Sequence, residues 1–429
     1  MQQYFCSPQF AWNYVQIGIF LLPLLPSFAA VAIVASCLIV WLRQYRRITH
    51  RPLNWAMAIT ATLLVITSNF AVNRGDAFLG LFNFIPFFIL FSGLSELIIT
   101  PAQLRRISWL LVISSLLVVM MGLGQLFLGW VTPTHLQPLL GWQIAPFGNP
   151  PGRMSSVFFY ANILAGYLVV VFVLSLGLLI ENYQEILRAK KPNYFTLVFL
   201  SLASLGNLAA IVLTNSRNAW AIAIFACLGY AIYHRWRWVI AGVMAISSSI
   251  ILAAFGISPL QELFRKIVPA FFWARLTDQL YPDRPVALLR TTQWKFAWNL
   301  TIERPWTGWG LRNFTALYEA KMRLWLGHPH NFFLMMTAEA GIPATLLLCS
   351  LVSWVIVSAI IVVIRNRQNK LIFFSYILAF ISITFFNTVD VTLFDFRLNT
   401  LNWLLLSAIW GLTSFFRNSL ARLPLTPKQ

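Results

Sequence analysis

Eleven long apolar runs dominate this sequence, at 13–42, 53–72, 77–94, 107–130, 156–181, 194–213, 217–234, 237–256, 344–364, 371–389 and 397–416. Continuous apolar runs of this length, without period-two alternation, read as helices. About 20 such residues carry a helix across a bilayer. Lipid offers backbone groups no hydrogen-bond partner, so spanning segments are helices or closed barrels. The first run is too long for one straight span and contains Pro23 and Pro26, which makes it either one kinked helix or two short ones. The expected fold is an all-α polytopic membrane protein with 11–12 transmembrane helices. Composition agrees: 59% of the 429 residues are hydrophobic and 10% charged, against roughly 25% charged in soluble chains. A soluble enzyme, a DNA-binding protein and a disordered chain are thereby excluded.

Charge then orients the helices. The net charge of +19 resembles a nucleic-acid footprint, but basic residues in membrane proteins mark cytoplasmic loops. Loops near 43–51, 105–106, 188–191, 235–237, 365–370 and 417–428 hold more than half of the 31 Lys and Arg. The short loops between them hold only Arg74, Arg153, Arg217 and Arg397. The basic set is expected to be cytoplasmic, with the C-terminus inside and the long polar segment 257–343 on the extracytoplasmic side. That divides the chain into helices over 1–256, an extracytoplasmic loop with short helices over 257–343, and three last helices and a tail over 344–429. A second, smaller outer loop, 131–155, is rich in Pro and Gly. The N-terminus lacks a basic n-region, so no cleavable signal peptide is expected. No internal repeat or low-complexity stretch is visible.

Ionisable residues inside spans usually mark ion or proton pathways, and here span interiors are essentially free of them; Glu181 and Asp390 fall at span ends. Coupled transport therefore loses weight. The four cysteines, Cys6, Cys37, Cys227 and Cys349, are scattered and suggest neither disulfides nor zinc. Polar chemistry gathers at the outer ends of the helices instead. Thr214-Asn215-Ser216-Arg217-Asn218-Ala219-Trp220 is a tight polar turn between apolar helices, where Arg217 is nearly the only charge. Taken alone, Arg217 reads as an arginine snorkelling to the interface. Arg290 begins a helix that ends near Arg304-Pro305, and taken alone reads as a solvated loop charge. Gly327-His328-Pro329-His330-Asn331 holds the only close pair among five histidines, followed by a short helix over 331–340 and Gly341-Ile342-Pro343-Ala344. His328 and His330 have no third metal ligand at regular spacing, although Glu339 is near. They are either packed, hydrogen-bonded histidines or acid/base groups, whose ordinary pKa of ~6.5 suits neutral pH.

In this order these motifs, together with Trp306-Thr307-Gly308-Trp309-Gly310, resemble the O-antigen ligase/polymerase family. The family's ligase motif is His, then Asn, Ser or Gln, nine residues, Gly, two residues, and Gly, Thr or Tyr. His330-Asn331, residues 332–340 and Gly341-Ile342-Pro343 fit, and Ala344 departs at the last position. The segment Arg153 to Tyr167, with Asn162-Ile163-Leu164-Ala165-Gly166-Tyr167, is also similar to the family. The resemblance covers roughly 150–390.

It implies a GT-C-like membrane glycosyltransferase of the bacterial inner membrane, with its active site on the periplasmic side. Such an enzyme uses a polyprenyl-diphosphate-linked oligo- or polysaccharide donor and a glycolipid or polysaccharide acceptor, with membrane lipid as a further partner and no cofactor, metal or nucleic acid. By the resemblance Arg217 and Arg290 hold the diphosphate and His330 activates the acceptor hydroxyl. Asn331, His328 and Glu339 are secondary substrate-site candidates, His328 as neighbour and Glu339 as orienter. Guanidinium forks suit phosphate oxygens. A polymerase acting on the same carrier is the nearest alternative, and some relatives with this domain have been linked to bicarbonate uptake.

Overall fold

The computed structural model describes residues 8–189, 194–277, 285–365 and 370–421. Cys6 and the basic residues at 190–191, 367 and 422–428 lie outside the described residues. The first apolar run is two helices, α1 (Pro8–Leu21) and α2 (Pro26–Thr49), packed as a hairpin. Pro23 lies in the turn, and Pro26 stands in the first turn of α2, where a missing N–H breaks no helical bond. The same device starts α3 (Pro52–Asn69). After α4 (Arg74–Gly80) and α5 (Ile85–Leu97), it starts α6 (Pro101–Leu128) as well. Thr100 and Gln103 there form a capping box, with Gln103 Oε1 accepting the Thr100 N–H at 3.0 Å.

The bundle continues through α7 (Ala161–Arg188), α8 (Tyr194–Leu213), α9 (Arg217–Tyr233) and α10 (Arg237–Phe255). Four short helices follow, α11 (Leu260–Ile267), α12 (Ala270–Leu276), α13 (Arg290–Glu303) and α14 (Phe314–Met322). The chain closes with α15 (Phe332–Arg365), α16 (Lys370–Phe386) and α17 (Phe396–Ala421). Among the described residues seven segments are long and apolar enough to cross a membrane: Pro26–Thr49, Arg74–Leu97, Pro101–Leu128, Ala161–Arg188, Tyr194–Leu213, Arg237–Phe255 and Phe332–Arg365. Lys370–Phe386 is apolar but shorter. The other stretches expected to span are helical too, with fewer residues or more polar ones. The protein is an all-helical, polytopic membrane protein.

α7 is the central post, buried along most of its length against α6, α8, α9 and α16. In lipid, helices associate by close packing rather than by hydrophobic exclusion from water, which favours small residues at contacts. Gly177 supplies one: a Cβ there would meet Ser375 Oγ at 2.2 Å. At one end of the bundle the carboxylates are held by arginines. Glu96 meets Arg47 at 3.1 Å and Arg51 at 2.5 Å, and Glu181 accepts both fork nitrogens of Arg105 at 2.8 Å.

The opposite end carries the polar insertion. There α13 lies alongside the first part of α15, Thr301 Oγ1 standing 3.0 Å from Thr337 Oγ1. A small second core of Phe296, Leu300, Phe314 and Tyr318 fills the space beneath. Segment 305–310 is then stitched in on two sides. The Trp309 and Gly310 N–H groups donate to the Ala338 and Glu339 carbonyls at 2.9 and 2.8 Å, and the Val72 N–H donates to the Trp309 carbonyl at 3.1 Å. Helix α15 breaks at Gly341, whose φ of 81° and ψ of 166° are non-helical. The piece before the break is thus a short helix starting just after His330, as the spacing predicts.

Candidate active site

The site is assembled by the loop between α16 and α17. Asn387 Oδ1 accepts from the Thr392 N–H at 2.9 Å and from its hydroxyl at 3.1 Å, winding the loop tightly. The Phe332 N–H donates to the Asn387 carbonyl at 2.9 Å, which docks the start of α15 on that loop. Asn331 caps α15, its Oδ1 accepting from the Leu334 N–H at 3.0 Å. Just before it, His330 turns the chain with a left-handed φ of 52°.

These constraints bring His330 against Asp390. Nδ1 of His330 stands 3.2 Å from Oδ1 of Asp390. The other carboxylate oxygen accepts from Asn162 Nδ2 at 2.7 Å, and Asn162 in turn accepts from the Arg153 guanidinium. Arg153 Nε also donates to the Thr214 carbonyl at 2.9 Å, so one arginine braces both Asp390 and the turn that presents Arg217. His328 completes the cluster. Its Nδ1 accepts from the His330 N–H at 3.2 Å, its Nε2 lies 3.9 Å from Asp390 Oδ1, and its ring stacks on Phe394.

Protonation follows from this wiring. Burial would raise the Asp390 carboxyl, but the hydrogen bond from His330 and the His330, His328 and Arg290 charges outweigh it and hold the group well below the usual carboxylate range. Burial, with the His330 and Arg290 charges, lowers His328 to about 4 against the opposing pull of Asp390, so its ring is neutral at neutral pH. Because Nδ1 of His328 accepts a backbone N–H, its proton sits on Nε2, facing the carboxylate. An ionised Asp390 likewise draws the His330 proton to Nδ1 and leaves the Nε2 lone pair exposed. Among the described residues Nε2 of His330 has no hydrogen-bond partner. That is the arrangement of a histidine held as a base by a carboxylate.

The same three residues also satisfy the spacing of a metal set, their ligand atoms lying within 4.8 Å of one another. Hydrogen bonding favours the histidine base held by Asp390. His328 directs an N–H, not a lone pair, at Asp390, and the Arg290 charge adds to the cost of a cation there.

The remaining residues singled out in the sequence fall at the same end of the bundle. Arg290 opens α13 and its Nη1 donates to the Val389 carbonyl, next to Asp390. Arg217 opens α9, where Asn218 Nδ2 donates to the Phe386 carbonyl at 3.0 Å and fastens that turn to the end of α16. Glu339 stands at the far end of the short helix. Its Oε1 accepts the Phe314 N–H at 3.1 Å, so it secures the chain before α14, while the carboxylate beside His330 is Asp390. Asp390, Asn162 and Arg153 are the site residues that sequence reasoning did not assign. The available signal was that Asp390 is the lone acidic residue between Glu339 and Asp395, at a span end on the His330 side.

Residues 197–349, which include Arg217, Arg290, His328, His330, Asn331 and Glu339, match the family model described as O-antigen ligase. No curated protein matches the chain. Over residues 197–349, which carry the Arg217 turn, the head of α13 and the histidine segment, the chain is similar to the O-antigen ligase family.

Proposed function

We propose that this protein transfers a glycan from a polyprenyl-diphosphate carrier to a hydroxyl of an envelope glycolipid or polysaccharide. The reaction takes place on the periplasmic side of the bacterial inner membrane, inverts the anomeric centre and needs no metal. The observation that carries this reading is the His330–Asp390 pair, with Nε2 of His330 unengaged. Nε2 takes the acceptor hydroxyl proton as the acceptor oxygen bonds to the anomeric carbon. The bond from that carbon to the diphosphate oxygen breaks at the same time, and its electron pair leaves with the diphosphate. Asp390 stabilises the imidazolium so formed. Arg217 and Arg290 offset the charge growing on the leaving diphosphate. His328 keeps the carboxylate side of the site polar and neutral, Asn331 fixes where α15 begins, and Glu339 fixes the chain that leads into α14.

An apolar cavity of about 320 Å3 between α15, α16 and α17, lined by Phe332, Phe333, Leu348, Phe380 and Trp403, supports a lipid-borne donor. It lies beside Asn387, which anchors the loop of Asp390.

The test is transfer by the purified chain in nanodiscs carrying the lipid-linked glycan and an acceptor. His330→Ala is expected to lower turnover by roughly 10²–10⁴, and Asp390→Asn by a similar factor while donor binding persists. Arg217→Lys keeps the charge but loses the planar fork, and should still impair transfer. Chelators should leave wild-type turnover unchanged. Wild-type turnover by His330→Ala, or activity abolished by chelation and restored by a divalent ion, would refute the mechanism. Envelope glycan analysis after deletion separates the neighbouring activities. Loss of polymer from an intact acceptor marks a ligase, single unpolymerised units mark a polymerase, and an unchanged envelope with altered inorganic carbon uptake marks transport.

A further inference from the structure

A second recess lies at the same end of the bundle, away from His330. Residues 69–71, Arg74 and residues 303–307 enclose an open groove of about 590 Å3, a size usual for ligand sites. Its wall carries the indole of Trp306, which is 76% exposed. The backbone behind that ring is fixed: the Ile342 N–H donates to the Pro305 carbonyl at 2.8 Å, and the Trp306 carbonyl packs against Gly341. Arg304 is equally committed, its Nη1 donating to the Phe70 carbonyl at 3.2 Å and its guanidinium lying 4.0 Å from the Trp309 ring centre. Arg74 and Glu303 are different. Both are exposed, and neither makes an ion pair or side-chain hydrogen bond among the described residues.

We propose that this groove is a saccharide subsite, in which Trp306 stacks on a sugar ring while Glu303 and Arg74 bind its hydroxyls. The inference rests on the glycan-transfer reading above. A pyranose presents a face of C–H bonds that suits the negative face of an indole, and a rim of hydroxyls that both donate to carboxylates and accept from guanidiniums. A lipid chain would use the indole but gain nothing from the two flanking charges.

Position supports the assignment. α13 and the first part of α15 run side by side from the site to the groove. Arg290 touches Val389 at one end, and Thr301 meets Thr337 towards the other. The 14 residues of α13 span roughly 20 Å at ~1.5 Å per residue. The groove therefore holds sugars several units away from the reacting one, and contributes to the choice of glycan chain rather than to bond making.

Two measurements on the full chain in nanodiscs test this. The first is saturation-transfer NMR with water-soluble oligosaccharides of graded length, released by mild acid from the host's own lipid-linked glycan. The second is transfer from donors that carry one repeat unit or many. Wild type should contact the longer oligosaccharides, Trp306→Leu should lose that contact, and Trp306→Tyr should restore much of it. In transfer, Trp306→Leu should lower kcat/KM about tenfold for the long donor, the scale of one aromatic contact, and leave the one-unit donor unchanged. If the groove holds the acceptor chain, the loss follows acceptor length instead. Equal losses for short and long chains, or full activity and binding in Trp306→Leu, would overturn the proposal. Binding is read without turnover, so a chain that binds through Trp306 but transfers nothing would refute the transfer reading alone.

Discussion

His330 occupies a left-handed backbone conformation with φ of 52°, which costs an L-residue roughly 1–2 kcal/mol. The surrounding bonds hold it there: the Asn331 cap on one side, the His330 N–H bonded to His328 on the other, and the ring against Asp390. Strain sustained by such over-determination marks functional positions. The spacing of His330, Arg217 and Arg290 was legible because each sits in a local motif. Asp390 was not, since it pairs with His330 across 60 residues of chain, and a lone carboxylate at a span end has no local pattern. The cluster also predicts a pH dependence of stability. His328 falls from 6.5 to about 4 on folding, so between those values the unfolded chain binds a proton that the folded chain refuses. Its contribution is full above 6.5 and is lost as the pH drops towards 4. Asp390 adds to this only at lower pH, because its contribution stands above its ordinary 3.8 and fades as the pH falls towards the depressed folded value. Thermal unfolding in detergent should show wild type weaker by on the order of 2 kcal/mol at a pH of about 5 than at neutrality, with a flatter profile for His328→Gln. An identical slope in the variant would locate the effect elsewhere.

At the scale of elements, helices were legible wherever an apolar run met a punctuating residue, as at Pro26, Pro52 and Pro101. In α15 the sequence sets a short helix over 331–340 apart from the apolar run at 344–364, with Gly341 and Pro343 between them. The break has a steric cause. Gly341, at φ of 81° and ψ of 166°, occupies a region open essentially to glycine alone, and a Cβ there would come within 2.5 Å of the Trp306 carbonyl. It lets the short helix carrying His330 set its own direction while segment 305–310 passes close behind it. Gly341→Ala should lower stability by roughly 2 kcal/mol or more, seen as a lower unfolding temperature in detergent. It should also reduce turnover at temperatures where the protein stays folded, because the start of α15 shifts against Asp390. Wild-type stability and turnover would show that the break plays no part in placing the site.

For the whole molecule, the two ends of the bundle differ in kind. One end presents arginines already matched to acids, in Arg47 and Arg51 with Glu96 and Arg105 with Glu181. The other holds one such pair, Arg397 with Asp395. Beside it stands Asp390, on which Arg290 bears directly and Arg153 through Asn162, with Arg217 at the same end and Nε2 of His330 unengaged. The proposed reaction needs its anion-binding end where a lipid-linked glycan meets its acceptor. From the charge of the loops we expect the opposite end in the cytoplasm, because short loops rich in Lys and Arg are retained there. The orientation proposed for transfer thus rests on the loop charges. Single cysteines in a cysteine-free background should therefore react with an impermeant maleimide from outside at Thr307→Cys, and only after permeabilisation at Arg235→Cys. Labelling with the sides reversed would put His330 and Asp390 in the cytoplasm, and would refute transfer on the periplasmic face even if every variant at the site behaved as expected.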